Sequence, residues 1–112
     1  MNWDNIYLKF EEERKNAFHN LMDNLKETPN YVIEEIERIK TKEKKLMKND
    51  EFVYSMFKYE MYNSDYIFGE SDDLVLSNCN LPENILWENE RLRKIYLKVK
   101  KEYLKIMEQK YF

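Results

Sequence analysis

Few side chains in this sequence could do covalent or proton-transfer chemistry, and they are thinly spread. The chain contains one histidine, His19, and one cysteine, Cys79. A nucleophilic pair would need the Cys79 thiolate with His19 as its base, brought together by the fold. Asp23 follows His19 by four residues, the spacing at which a helix lets a carboxylate orient an imidazole. No family-like pattern surrounds either residue. His19 therefore reads as a surface or boundary residue, and Cys79, between Asn78 and Asn80, as a loop or half-buried thiol. Zinc takes several Cys or His ligands, and a di-iron bundle needs Glu-x-x-His pairs on facing helices; neither set is present. The run Glu70-Ser71-Asp72-Asp73 is acidic but lacks the spacing of a calcium loop. Phosphate-cradling loops need several glycines, and Gly69 is alone. Carboxylates are plentiful, yet no second anchor singles out an acid–base pair. The expectation is a protein without an enzyme's equipment, with no metal and no cofactor.

The aromatic residues carry a stronger signal. Nine Tyr, six Phe and two Trp are a heavy load for 112 residues. Phe10, Phe18, Phe57 and Trp87 read as core. From Tyr54 to Phe68 the series Tyr54, Phe57, Tyr59, Tyr62, Tyr66 and Phe68 is too dense for one helix face, so some members should be exposed. Tyrosine is enriched at binding hot spots, where a large ring carries a polar handle. Interleaved acids make Tyr59, Tyr62, Asp65, Tyr66, Phe68, Glu70, Asp72 and Asp73 the expected partner-binding face. The blander alternative is a row of tyrosines over the rim of the core, with their hydroxyls in water.

The elements that must position these residues are helices. One Gly and two Pro cannot supply the turns of a sandwich or barrel. Trp3, Ile6, Tyr7, Phe10, Ala17, Phe18, Leu21, Met22 and Leu25 recur at spacings of three and four, which predicts a helix over 3–26. Thr28-Pro29 reads as an N-cap followed by proline at the first helical position. A second helix over 29–48 then buries Val32, Ile33, Ile36, Ile39, Leu46 and Met47. Asp50 reads as the cap of a third helix over 51–63. Residues 64–80 form the least regular stretch. Its triplet Leu74-Val75-Leu76 suits a short helical turn, or less well an isolated strand. Asn80-Leu81-Pro82 opens a last helix over 82–110, about 45 Å long at 1.5 Å per residue. Ile85, Leu92, Val99 and Ile106 repeat along it every seven residues, joined by Tyr96 and Tyr103. Leu86, Leu97, Leu104, Met107 and Tyr111 widen the apolar face. A face that wide either is wrapped by the other helices or meets a partner, and a second copy of the chain would serve. The expected fold is all-α: a small four-helix bundle-like domain spanning 1–112, with a long C-terminal helix.

Charge is segregated beneath a net charge of −3. Residues 1–37 carry nine acids and four bases, 38–48 one acid and six bases, 49–90 ten acids and one base, and 91–112 two acids and eight bases. The helix dipole explains much of this pattern, since acids favour helix starts and bases favour helix ends. Glu11–Lys15, Glu34–Arg38 and Glu90–Lys94 add favourable i,i+4 pairs. Read as surface patches, the acidic block would suit a basic partner, one that itself binds nucleic acid. In the alternative, Lys40, Lys42, Lys44, Lys45, Lys48, Lys98, Lys101 and Lys105 would touch phosphates directly. Overall acidity, scarce arginine and the lack of a reader motif weigh against nucleic acid.

The lone cysteine fits a reducing compartment, and Met1-Asn2-Trp3-Asp4 shows no signal-peptide pattern. No run approaches the length of a membrane span. A cytoplasmic protein is expected. In class, a small acidic, tyrosine-rich helical chain of this kind resembles phage-encoded inhibitors of bacterial defence or host enzymes, anti-CRISPR proteins included, and also immunity proteins and antitoxins. The resemblance implies a non-enzymatic inhibitor or adaptor that binds another protein, in the host cytoplasm if phage-encoded. The alternatives are a small nucleic-acid-binding regulator and a structural helical dimer.

Overall fold

The computed structural model describes residues 2–64 and 72–111. The described residues are all-α and hold six helices: α1 (Trp3–Asp23), α2 (Asn30–Leu46), α3 (Asp50–Asn63), α4 (Asp72–Asn78), α5 (Glu83–Glu88) and α6 (Glu90–Tyr111). They fall into two compact units, Met1–Phe52 and Val53–Phe112, so the division lies within α3. None of the described helices is long and apolar enough to cross a membrane.

In the first unit, the Asn2 side chain caps α1 by accepting the Asn5 N–H at 3.2 Å. Tyr7, Phe10 and Ala17 form its buried stripe. The helix stops at Asp23, earlier than the apolar pattern predicts. Asn24 leaves helical geometry, its Nδ2 donates to the Asn20 carbonyl at 2.7 Å, and the Thr28 hydroxyl donates to the Asn24 carbonyl at 2.9 Å. The last carbonyls of α1 thereby find partners. Thr28 thus serves the end of α1 and is not the cap of α2. Pro29, with φ −63° and ψ 152°, takes the N-cap position, and its carbonyl accepts from Val32 and Ile33. The helix therefore starts at Asn30, one residue later than expected. α1 and α2 pack together, with Val32 and Ile39 buried on α2. Phe52 closes this core, edge-on to both Tyr7 and Phe10 at centroid distances of 5.8 and 5.9 Å.

At the start of α3 the cap is Asn49, not Asp50. The Asn49 Oδ1 accepts the N–H groups of Glu51 and Phe52 at 2.9 and 3.1 Å. In the second unit, Val53, Met56, Phe57, Met61, Val75, Leu76, Cys79, Leu86, Leu92, Tyr96, Val99 and Tyr103 are buried. Phe57 meets Tyr96 edge-on at 5.2 Å. The stretch expected to be irregular contains α4, which buries Val75 and Leu76 while Leu74 faces out. Asn80 ends it at a φ of 56°, the left-handed region that asparagine enters more readily than other non-glycine residues. The Leu81 N–H then reaches the Leu76 carbonyl at 2.9 Å and the Asn80 N–H the Ser77 carbonyl at 3.0 Å, the pairing of a Schellman motif.

The single last helix expected over 82–110 is two helices. Asn89 adopts extended geometry, with φ −102° and ψ 103°. Its N–H closes α5 on Ile85 and Leu86, and its Oδ1 accepts the Leu92 N–H at 3.1 Å to cap α6. A residue whose side chain competes for backbone groups prefers such a junction to a helix interior. The break alters the expected faces. Leu92 and Val99 are buried, but Ile85 and Ile106 are 43% and 45% exposed. Leu86, expected beside Leu97 and Leu104, is fully buried on α5. Phe18 and Trp87, expected in the core, are exposed.

Candidate functional site

The most regular unsatisfied surface lies on α6. Its inner stripe of Leu92, Tyr96, Val99 and Tyr103 is buried. Beside that stripe, Leu97, Leu104 and Tyr111 are 42%, 39% and 52% exposed. Steps of seven residues precess by about 20° on an α-helix, so these three side chains stay on one face, about 20 Å from end to end. An apolar row of this kind sacrifices burial that a packed helix would otherwise gain.

Basic residues border most of the row, with the exposed Glu108 beside its C-terminal end, between Leu104 and Tyr111. Arg93 and Lys100 lie along one edge and are already engaged. The Arg93 guanidinium donates to the Trp87 carbonyl at 2.7 Å, and the Lys100 ammonium lies 3.1 Å from an Asp72 oxygen. Along the other edge Lys94, Lys98, Lys101 and Lys105, at spacings of four, three and four, form an exposed ridge. Lys94 pairs with Glu90 at 3.0 Å, and Lys98 sits 5.7 Å from the centroid of the Tyr54 ring. Lys101 and Lys105 have no ion-pair partner among the described residues. The Tyr54 hydroxyl donates to the Glu102 carboxylate, so the one acid in the middle of this helix is turned toward α3.

The residues expected to form an acidic–aromatic face are placed differently. Asp65, Tyr66, Phe68 and Glu70 lie outside the described residues. Asp72, in the first turn of α4, accepts from the Tyr96 hydroxyl and pairs with Lys100, so its charge ties α4 to α6. Asp73 is exposed, while Tyr59 is only partly so. Tyr62 is 40% exposed, with its ring edge-on to Tyr103 at 5.0 Å. Burial pushes the Tyr62 hydroxyl above its ordinary value, and the Glu102 charge adds to the effect. The Tyr62 ring therefore packs at the edge of the core.

On α2, Lys42 donates to Glu13 at 2.9 Å. That hydrogen bond, aided by the charges of Lys42, Arg38 and Lys9, holds the Glu13 carboxyl below its ordinary value against the opposing effect of desolvation. Arg38 turns to Glu35 and Glu13, not to Glu34 as the i,i+4 spacing suggests, whereas the Glu11–Lys15 pair forms at 3.2 Å. Lys40, Lys44, Lys45 and Lys48 are exposed.

A second apolar surface escaped the sequence reading. Phe18 and Met22 near the end of α1, Leu25 just beyond it, and Tyr31 and Ile33 at the start of α2 are 45% to 64% exposed. The periodicity predicts burial for Phe18, Met22, Leu25 and Ile33, but the described residues of the first unit leave them exposed. His19 is exposed on α1, and Cys79 is buried. Among the described residues no cluster of three His, Cys, Asp or Glu side chains is placed to hold a metal ion. No protein-family model, curated protein or solved structure matches the chain.

Proposed function

We propose that this chain is a non-enzymatic protein-binding inhibitor or adaptor, acting by occupying a surface of its target. The observation that carries the proposal is the exposed row Leu97, Leu104 and Tyr111 on α6. Large apolar side chains repeated along one exposed helix face are the anchors of helix-in-groove recognition. The class resemblance to phage-encoded inhibitors, anti-CRISPR proteins, immunity proteins and antitoxins agrees with this reading and implies action in the cytoplasm, that of the host if the chain is phage-encoded. The acidic residues Asp65, Glu70 and Asp73, with Tyr66 and Phe68, remain a proposed accessory contact; Asp72 is less suited to one because it is engaged by Tyr96 and Lys100.

The test is binding to a partner captured by the tagged full chain from its native host and then purified. Replacing both Leu97→Glu and Leu104→Glu is expected to weaken that binding at least about tenfold, the effect of losing a central apolar anchor. Unchanged affinity would remove the proposal. A second reading, nucleic-acid binding, draws on the Lys94, Lys98, Lys101 and Lys105 ridge. It requires an affinity for DNA or RNA that falls steeply with added salt.

A further inference from the structure

We infer that the α6 face receives an acidic amphipathic helix, whose apolar side chains sit on Leu97, Leu104 and Tyr111 and whose carboxylates meet Lys101 and Lys105. This rests on the protein-binding reading and names the partner's chemistry. Three observations support it. The apolar row presents three exposed side chains, Leu97, Leu104 and Tyr111, over about four turns. Lys101 lies four residues after Leu97 and three before Leu104, so it occupies the exposed helix surface next to the row. Neither Lys101 nor Lys105 has an ion-pair partner among the described residues.

Charge also chooses between occupants. A second copy of α6 laid on this face would bring lysine ridge against lysine ridge. Like charges placed opposite one another across an interface oppose that pairing. A helix with glutamates or aspartates flanking its apolar stripe reverses the sign at each of those positions. A nucleic acid would satisfy the lysines but leave Leu97 and Leu104 against a charged backbone. The acidic helix is the occupant that satisfies both the row and its border.

Two designed peptides of about 20 residues, roughly 30 Å as helices, provide the probe. Both carry leucines along one face; one has glutamates on the flanks and the other lysines. Binding to the full chain is read from backbone amide shifts at low salt. The acidic peptide should shift amides between Leu97 and Tyr111 and bind at least about tenfold tighter than its basic twin. Replacing Lys101→Glu and Lys105→Glu should reverse that preference, and because both side chains are exposed, the far-UV circular dichroism should not change. Reversal cannot arise from misfolding, which would abolish binding of both peptides.

Equal binding of the two peptides overturns the inference, as do shifts confined to another face or no binding of either. So does an oligonucleotide that shifts the same amides more strongly than the acidic peptide. A dimer mass in light scattering that Leu97→Glu with Leu104→Glu abolishes also overturns it, since a second copy then covers the row. If a purified native partner loses affinity on the leucine changes but not on the lysine reversals, this inference fails while the proposed function stands.

Discussion

At the residue scale, the charged side chains divide into those the fold has used and those it has left to solvent. Asp72, Lys100, Glu13, Lys42, Arg38 and Arg93 all have partners within their own unit. The Glu13–Lys42 pair offers a direct check. Its carboxyl sits below the ordinary value of 4.5 in the folded chain, so folding favours the ionised form. The stabilisation is complete above that ordinary value and is lost as pH falls through the depressed one. Both side chains are partly exposed, which limits the pair to about 1 kcal/mol or less. Glu13→Gln should therefore lower stability slightly at neutral pH and remove part of the loss below about pH 4.5. Urea unfolding across that range, with the wild type beside it, measures both.

At the element scale, asparagine does much of the punctuation that glycine does elsewhere. Asn2, Asn49 and Asn89 cap α1, α3 and α6 through their side-chain oxygens. Asn80 supplies the left-handed residue that ends α4. Composition alone makes the chain look unbroken, because its glycine count is one, yet five asparagines, Asn24 at the end of α1 included, mark helix boundaries. Position 80 separates this explanation from simple hydrophilicity. Asn80→Gly should be neutral or slightly stabilising, whereas Asn80→Val should cost about 1–2 kcal/mol, the penalty of a side chain forced into left-handed geometry. Denaturant midpoints of the two variants decide it, and equal midpoints would mean that the backbone geometry there is not a constraint.

At the scale of the whole molecule, the core and the candidate docking face should be energetically separate. Phe57 is fully buried against Tyr96, so Phe57→Ala should cost about 3–5 kcal/mol. Leu97 and Leu104 are exposed enough that replacing either with a polar residue should change stability by only about 0.5 kcal/mol. Thermal unfolding of the three variants, read together with binding, shows whether α6 keeps one stripe for folding and another for recognition. A large loss from Leu97→Glu alone would mean that this row belongs to the core.

The sequence by itself determined the helical class and the broad apolar faces of the first and last helices, which include Tyr7, Phe10 and Ala17 on one and Leu92, Tyr96, Val99 and Tyr103, with Leu97, Leu104 and Tyr111 beside them, on the other. Each is a local consequence of 3.6-residue periodicity, which needs no knowledge of neighbours. What only the tertiary structure decided is which apolar positions are covered. Leu86 and Leu97 look equivalent in sequence, yet one is fully buried and the other 42% exposed, because Asn89 interrupts the helix between them. Phe18, Met22 and Leu25 continue the α1 pattern past the point where the first unit covers it. Asp72 reads as part of an acidic surface until Tyr96 and Lys100, more than twenty residues away in the chain, take up its oxygens. Periodicity states which side of a helix is apolar; only packing determines whether anything lies against it.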